Sequence, residues 1–143
     1  MLAFGQGDYE KAAPALAAAI DLYTELGDVR QVATASVPLG VIQAVGDTNG
    51  GENLLARAAD TFRELDDQWG LAFALLSLGG ALLLHHRYVD AIPPLEEGVQ
   101  LARTVKADIF LSNALINLGW VHHRLGDLES CLLYTSPSPR DRS

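Results

Sequence analysis

The feature that most constrains the fold of this chain is an internal repeat of 39 to 40 residues. When residues 7–45 are laid over residues 46–84, 13 of 39 positions are identical, whereas average residue usage predicts about three. A further copy follows at an offset of 40 residues, so that Gly79 corresponds to Gly119. Repeats of this length are typical of units that bury their apolar faces by stacking on one another.

Two α-helices are predicted in each unit. Apolar residues recur at helical spacing, and the stretches between the turns are rich in alanine and leucine, which favours helix. Asp28, Asp67 and Asp108 each precede an apolar stretch, where an aspartate can cap a helix by accepting a hydrogen bond from a backbone N–H group. The predicted helices cover residues 8–26, 28–45, 51–65, 68–85, 88–105 and 107–124, and residues 1–5 are expected to end a further helix.

Glycine–aspartate pairs predict the other turn of the repeat, at which a unit begins. Glycine permits the left-handed backbone conformation that often ends a helix, and the aspartate can cap the next one. These pairs lie at residues 7–8, 46–47 and 126–127. The units then cover residues 7–45, 46–85 and 86–125, with a partial fourth unit at 126–130.

The units resemble tetratricopeptide repeats. In that family a leucine–glycine pair in the first helix precedes a turn, and small residues follow along the second helix; here Leu118-Gly119 precedes Gly126-Asp127. The resemblance implies an all-α, right-handed superhelical solenoid of antiparallel helix pairs, with about 3.25 repeats over residues 1–130. The positions at which its helices would pack closely are Gly40, Gly79 and Gly119.

Two features depart from the usual pattern of that family. Its unit has about 34 residues, and here prolines lie inside predicted helices at Pro14, Pro38, Pro93 and Pro94. The longer unit is similar to the repeat regions of large bacterial regulators, including ATP-binding LuxR-type and antibiotic-regulator-type transcription factors and some adenylate cyclases. In those proteins the repeats form a sensor or scaffold beside a nucleotide-binding domain.

Residues 131–143 are expected to be a non-native or disordered tail. The run Cys131–Asp141 resembles the translation of a transposon-end sequencing adapter, which would place the end of the natural sequence at about residue 130. The Ser-Pro-Ser-Pro run at 136–139 is also incompatible with a helix interior. The tail therefore carries no information about the fold.

Charge and composition exclude several classes of function. Ten basic residues against eighteen acidic ones give a net charge of −8, which repels nucleic-acid phosphates and anionic lipid. No apolar run approaches the roughly 20 residues of a membrane helix, and no signal segment is evident, so a cytoplasmic protein is expected. A single cysteine excludes a disulfide framework and a cysteine-rich zinc site.

No catalytic or cofactor-binding motif is found. A phosphate-binding loop, a nucleophile elbow and a metalloprotease helix motif are all missing. The histidine pairs His85-His86 and His122-His123 are interpreted as polar helix ends, because adjacent helical residues point about 100° apart. The acid pairs Asp66-Asp67 and Glu96-Glu97 are interpreted as solvated charge. We expect no enzyme activity, no metal and no cofactor.

A concave face is the candidate binding surface. In the resembled architecture the helix that carries the leucine–glycine pair, the first helix of the family's repeat, lines this face, and positions counted from that pair identify its side chains. Basic residues that would bind a carboxylate are lacking there, although several of the positions can equally belong to the core. The candidate residues are Thr34, Val37, Val41, Phe73, Leu76, Leu83, Asn113, Asn117, Trp120 and His123, with Gly80 beside them.

The sequence is consistent with two functions. The first is a non-catalytic interaction or scaffold module, a fragment of a larger bacterial protein, that binds a peptide, a helix or a neighbouring domain in its concave face. The alternative is an effector-sensing repeat segment of a signal-transduction ATPase or transcriptional regulator. In both cases the partner is a protein, a peptide or an adjacent domain of the same parent chain, and not nucleic acid or membrane.

Overall fold

The computed structural model describes residues 6–46 and 50–133, with side chains at 10–46 and 50–126. Within these residues the chain forms six α-helices and no β-strand. The chain is therefore all-α in its described part, as predicted. The helices are α1 (Gln6–Leu26), α2 (Val29–Val45), α3 (Gly50–Glu64), α4 (Gln68–Leu84), α5 (Tyr88–Thr104) and α6 (Asp108–Leu133).

The first five helices lie within two residues of their predicted bounds, but two of the predicted glycine–aspartate turns are wrong. Gly7 and Asp8 lie inside α1, and α6 continues through Gly126 to Leu133 instead of ending at residue 124. A glycine inside a helix costs only about 1 kcal/mol, so it does not end a helix whose backbone bonds continue on both sides. Residues 131–133, predicted to belong to the tail, continue α6 instead. The predictions for residues 1–5, Asp47 and 134–143 lie outside the described residues.

Aspartate caps begin two of the three helices for which they were predicted. The Asp28 carboxylate accepts a hydrogen bond from the Gln31 amide at 3.2 Å, and Asp67 accepts one from the Gly70 amide at 2.9 Å. Asp108 is instead the first residue of α6. There its negative charge interacts favourably with the positive end of the helix dipole. The prediction of a cap at Asp108 is therefore wrong by one position.

The turn between the two helices of each unit repeats in its backbone geometry. Its central residue has a left-handed φ of 73° at Gly27, 55° at Asp66 and 58° at Lys106. This conformation lets the next amide reach the carbonyl five residues earlier, which satisfies a free group at the helix end. These bonds run from Asp28 to Tyr23, from Asp67 to Phe62 and from Ala107 to Ala102.

Consecutive helices pack against each other, and α4 also contacts both α2 and α6. Helix α3 fills the junction between α2 and α4, and α5 fills the junction between α4 and α6. The core is built from buried residues at these junctions, led by Val37, Leu55, Leu95 and Val121. None of the helices in the described part of the chain is long and apolar enough to cross a membrane.

Two of the three glycines predicted to permit close packing do so. A Cβ atom at Gly40 would lie 2.7 Å from Cγ of Leu55, and one at Gly79 would lie 2.5 Å from Cγ of Leu95. At Gly119 a Cβ would meet no described atom within 4 Å, so the described residues do not show close packing at that position. The reason is that α6 runs straight on, and no helix of the described chain returns over this position.

Candidate functional site

An apolar cavity lies among α1, α2 and α4. Its volume is about 330 Å³, within the range of small ligand pockets. Apolar side chains dominate the lining, with the Ser77 hydroxyl as its one polar side chain. The lining residues are Ala12 and Leu16 of α1, Val37, Pro38, Val41 and Ile42 of α2, and Phe73 and Ser77 of α4.

A second cavity continues from the first between α4 and α6. Phe73 and Ser77 line both cavities, and the volume of the second is about 230 Å³. Its α6 wall carries Asn113 and Asn117, which bring two carboxamides to an otherwise apolar surface. The set of residues lining the two cavities is called the α2–α4–α6 face below.

Three aromatic rings extend this face toward the start of α4 and α6. The Trp69 ring lies 5.8 Å from that of Phe73 and 5.2 Å from that of Phe110, and the Phe73 and Phe110 rings stack at 5.5 Å. Aromatic pairs at such separations contribute more stabilisation than the burial of their surface area alone provides. Trp69 is still half exposed, so one edge of the cluster is available to a partner.

The structure brings six of the predicted face residues together. Val37, Val41 and Phe73 line the first cavity, and Phe73, Leu76, Asn113 and Asn117 line the second. Val37 is fully buried and so serves the core at least as much as the cavity.

The other predicted residues lie outside both cavities. Thr34 is exposed, and its hydroxyl donates to the Arg30 carbonyl at 2.8 Å. Leu83 packs on the second core cluster. Trp120 and His123 lie further along α6 with ring centroids 6.4 Å apart, and the Arg124 guanidinium lies 4.5 Å from the Trp120 ring centre.

Sequence reasoning missed several residues of the face. Ala12 and Leu16 come from α1, a helix assigned to the other side of its unit, and nothing in the repeat pattern marked them. Ser77 and Phe110 could have been found, because Ser77 follows Phe73 by one helical turn and Phe110 precedes Asn113 by three residues.

Among the described residues, three charged networks connect successive units. Arg30 pairs with Asp67, and the Arg63 guanidinium binds both oxygens of Glu97 at 2.6 Å and 3.0 Å. The hydrogen bond from Arg63 lowers the pKa of the Glu97 carboxyl below its ordinary value and raises the pKa of Arg63. The interpretation of both acid pairs as solvated charge is therefore wrong for Asp67 and Glu97, which bind arginines of the preceding unit.

The third network is centred on Glu52 at the start of α3. One of its oxygens lies 2.6 Å from Nδ1 of His85, and the other accepts a hydrogen bond from Arg87 at 2.5 Å. Nε2 of His85 lies 3.1 Å from the Ala44 carbonyl oxygen. His85 ends α4, in line with its interpretation as a polar helix end, and it ties that end to the ends of α2 and α3.

No group of three or more histidine, cysteine, aspartate or glutamate side chains converges on one point in the described part of the chain. The face thus presents shape, apolar surface and two carboxamides. Apolar pockets with a few polar groups are typical of sites that bind ligands. Comparison with models of known protein families finds no match, and comparison with curated protein sequences finds none either.

Proposed function

We propose that the chain is a non-catalytic interaction module, and that its α2–α4–α6 face binds an apolar segment of a peptide, a helix or a neighbouring domain. The observation that carries the proposal is the pair of adjoining cavities that share Phe73 and Ser77. Together they line one face across α2, α4 and α6, with Asn113 and Asn117 on its α6 side.

The repeat supports a specific architecture for this module. The offset of 39 to 40 residues, the turn that recurs with it and the contacts of α2 with α4 and of α4 with α6 favour a right-handed, tetratricopeptide-like solenoid. In such an array one helix of each unit lines a common face. The scaffold region of a larger cytoplasmic bacterial regulator remains the context that the resemblance favours.

The chemistry of the face defines the kind of segment that binds. Burial of one leucine- or phenylalanine-sized side chain contributes about 1.5–3 kcal/mol, so two anchors in the two cavities contribute about 3–6 kcal/mol. Micromolar affinity needs about 8 kcal/mol after the cost of association, so backbone hydrogen bonds and further contacts of the segment must supply the rest. The Asn113 and Asn117 carboxamides can each donate to and accept from a peptide backbone. We therefore expect a segment with two apolar anchors and an accessible backbone between them.

A peptide-display library with randomised apolar positions tests this function. We expect enrichment of peptides that carry two large apolar residues. Their affinity should fall about tenfold or more in Ser77→Trp, which fills both cavities. Gln100→Trp, on the exposed side of α5, is the matched control and should bind as the parent does. An equal loss of peptide affinity in both variants, or no loss of affinity in Ser77→Trp, would contradict the proposal.

The size of the first cavity favours a second candidate, the sensing of a small apolar effector. A volume of about 330 Å³ lies at the lower end of the range for small-molecule pockets. The probe is an environment-sensitive naphthylamine dye, with Ser77→Trp again as the blocking variant. Saturable one-to-one binding that peptides do not displace would favour the effector, whereas displacement by the enriched peptides would favour the interaction module.

A further inference from the structure

Helices α4 and α5 are joined by two reciprocal glycine–leucine contacts. Leu95 of α5 packs over Gly79 of α4, and Leu76 of α4 packs over Gly98 of α5. Each glycine provides the space that the opposing leucine occupies, because a Cβ at either position would overlap the leucine side chain. The backbones can therefore approach closely; Leu95 is fully removed from water and Leu76 is partly buried.

The preceding helix pair repeats one half of this arrangement. A Cβ at Gly40 of α2 would lie 2.7 Å from Cγ of Leu55 in α3. Leu55 corresponds to Leu95 at an offset of 40 residues, and Gly40 corresponds to Gly79 at 39. In both helix pairs the leucine is followed three positions later by a small buried residue, Ala58 or Gly98.

Helix α6 carries the same receiving surface without a covering helix among the described residues. Leu76 and Gly79 of α4, which pack against Gly98 and Leu95 of α5, correspond at an offset of 40 to Ile116 and Gly119. Leu76 is partly buried, whereas Ile116 is 68% exposed and its neighbour Leu115 is 43% exposed. A Cβ at Gly119 would meet no described atom within 4 Å.

We infer that this α6 surface, formed by Leu115, Ile116 and Gly119, binds an α-helix that places a leucine over Gly119. The same helix places glycine or alanine, three residues after that leucine, against Ile116. The partner chemistry follows from continuity with the two interfaces already present, since α3 and α5 each carry leucine followed by a small residue at this spacing.

This surface is separate from the α2–α4–α6 face. Residues Phe110, Asn113 and Asn117 line the second cavity, and helical geometry places Gly119 on a different side of α6 from all three. The inference therefore does not depend on the proposed function. A partner on this surface would extend the helix array in trans and leave the cavities open.

The probe is a fluorescent peptide with the sequence of residues 50–64, whose helix is fixed by a hydrocarbon staple between positions 53 and 57. Both of these positions are exposed in α3, so the staple lies away from Leu55 and Ala58. We expect saturable one-to-one binding to the full chain by fluorescence anisotropy. A peptide carrying Leu55→Ala should bind at least about tenfold more weakly, because it lacks the side chain that fills the glycine site.

The matched receptor variants are Gly119→Leu and Gly80→Leu. A Cβ at either glycine meets no described atom within 4 Å, so both variants should fold with an unchanged thermal midpoint. Gly119→Leu occupies the site and should weaken peptide binding about tenfold or more, while Gly80→Leu should bind as the parent does.

Three results would overturn the inference. They are the absence of saturable binding, equal binding of the two peptides, and equal binding to Gly119→Leu and Gly80→Leu. Sedimentation at several concentrations adds a fourth, because a dimer of the chain that the peptide cannot dissociate would assign the surface to a second copy.

Discussion

Nδ1 of His85 lies 2.6 Å from Oε2 of Glu52, and this contact joins the end of α4 to the start of α3. The same ring reaches the Ala44 carbonyl at the end of α2. Both side chains are largely shielded from water, and Glu52 also binds Arg87. One histidine thus connects the ends of three helices that belong to two units.

Replacement of His85 by alanine should destabilise the fold. The Glu52 carboxylate and the Ala44 carbonyl would each lose a partner in a partly buried site, which costs about 1–3 kcal/mol. The measurement is the free energy of unfolding in urea. His86→Ala is the control: His86 is exposed, and its Nδ1 contacts the Tyr88 hydroxyl two residues away, so it should cost under about 0.5 kcal/mol. Equal losses in the two variants would contradict the central role of His85.

The helices could be predicted because the signals for them are local. Apolar spacing and the caps Asp28 and Asp67 depend on residues a few positions apart, and the structure agrees with them. The end of α6 could not be predicted in this way. A glycine followed by aspartate ends a helix only when tertiary contacts favour the turn, and Gly126 lies in continuous helix instead.

The cavities were partly predictable for a similar reason. Phe73, Leu76 and Asn117 follow from helix phase and the repeat offset, and they do line the second cavity. The position of α1 over Val41 and Phe73 depends on how one helix crosses two others. No periodic pattern encodes that crossing, so Leu16 was missed.

The glycines at equivalent repeat positions should differ sharply in their tolerance of a side chain. Gly79→Ala places a Cβ 2.5 Å from two carbons of Leu95, which forces the helices apart and costs about 1–3 kcal/mol. Gly119→Ala meets no described neighbour within 4 Å and should be neutral or stabilising by up to about 1 kcal/mol, because alanine favours helix. Thermal midpoints of the two variants measure the contrast. A loss of stability in Gly119→Ala comparable to that in Gly79→Ala would show that a segment covers Gly119.

The two aspartate caps should contribute unequally to the free energy of unfolding. Asp67 caps α4 through a 2.9 Å bond and also pairs with Arg30, whereas Asp28 caps α2 through a longer 3.2 Å bond. We expect Asp67→Ala to cost about 1–2 kcal/mol and Asp28→Ala about 0.5–1 kcal/mol. A double-mutant cycle of Asp67→Ala with Arg30→Ala separates the cap from the ion pair. A coupling energy near the full cost of Asp67→Ala would contradict a capping role.

The ion pair between Arg63 and Glu97 should give a small, pH-dependent stabilisation. Because the guanidinium lowers the Glu97 pKa below the ordinary 4.5, the folded state binds this proton more weakly than the unfolded state. The stabilisation is therefore complete at pH values above 4.5 and disappears as the pH falls through the lower pKa of the folded state. The Glu97 side chain is 41% exposed, so solvent screening limits the contribution to under about 1 kcal/mol.

Glu97→Gln tests this linkage, with Glu96→Gln on the exposed neighbour as its control. Urea unfolding at neutral pH should show Glu97→Gln less stable than the parent by up to about 1 kcal/mol, and the difference should shrink in about 1 M salt. In acid, well below the ordinary pKa of 4.5, the difference between Glu97→Gln and the parent should close, because both side chains are then neutral. A difference that persists in acid would show that Glu97 contributes through packing rather than through its charge.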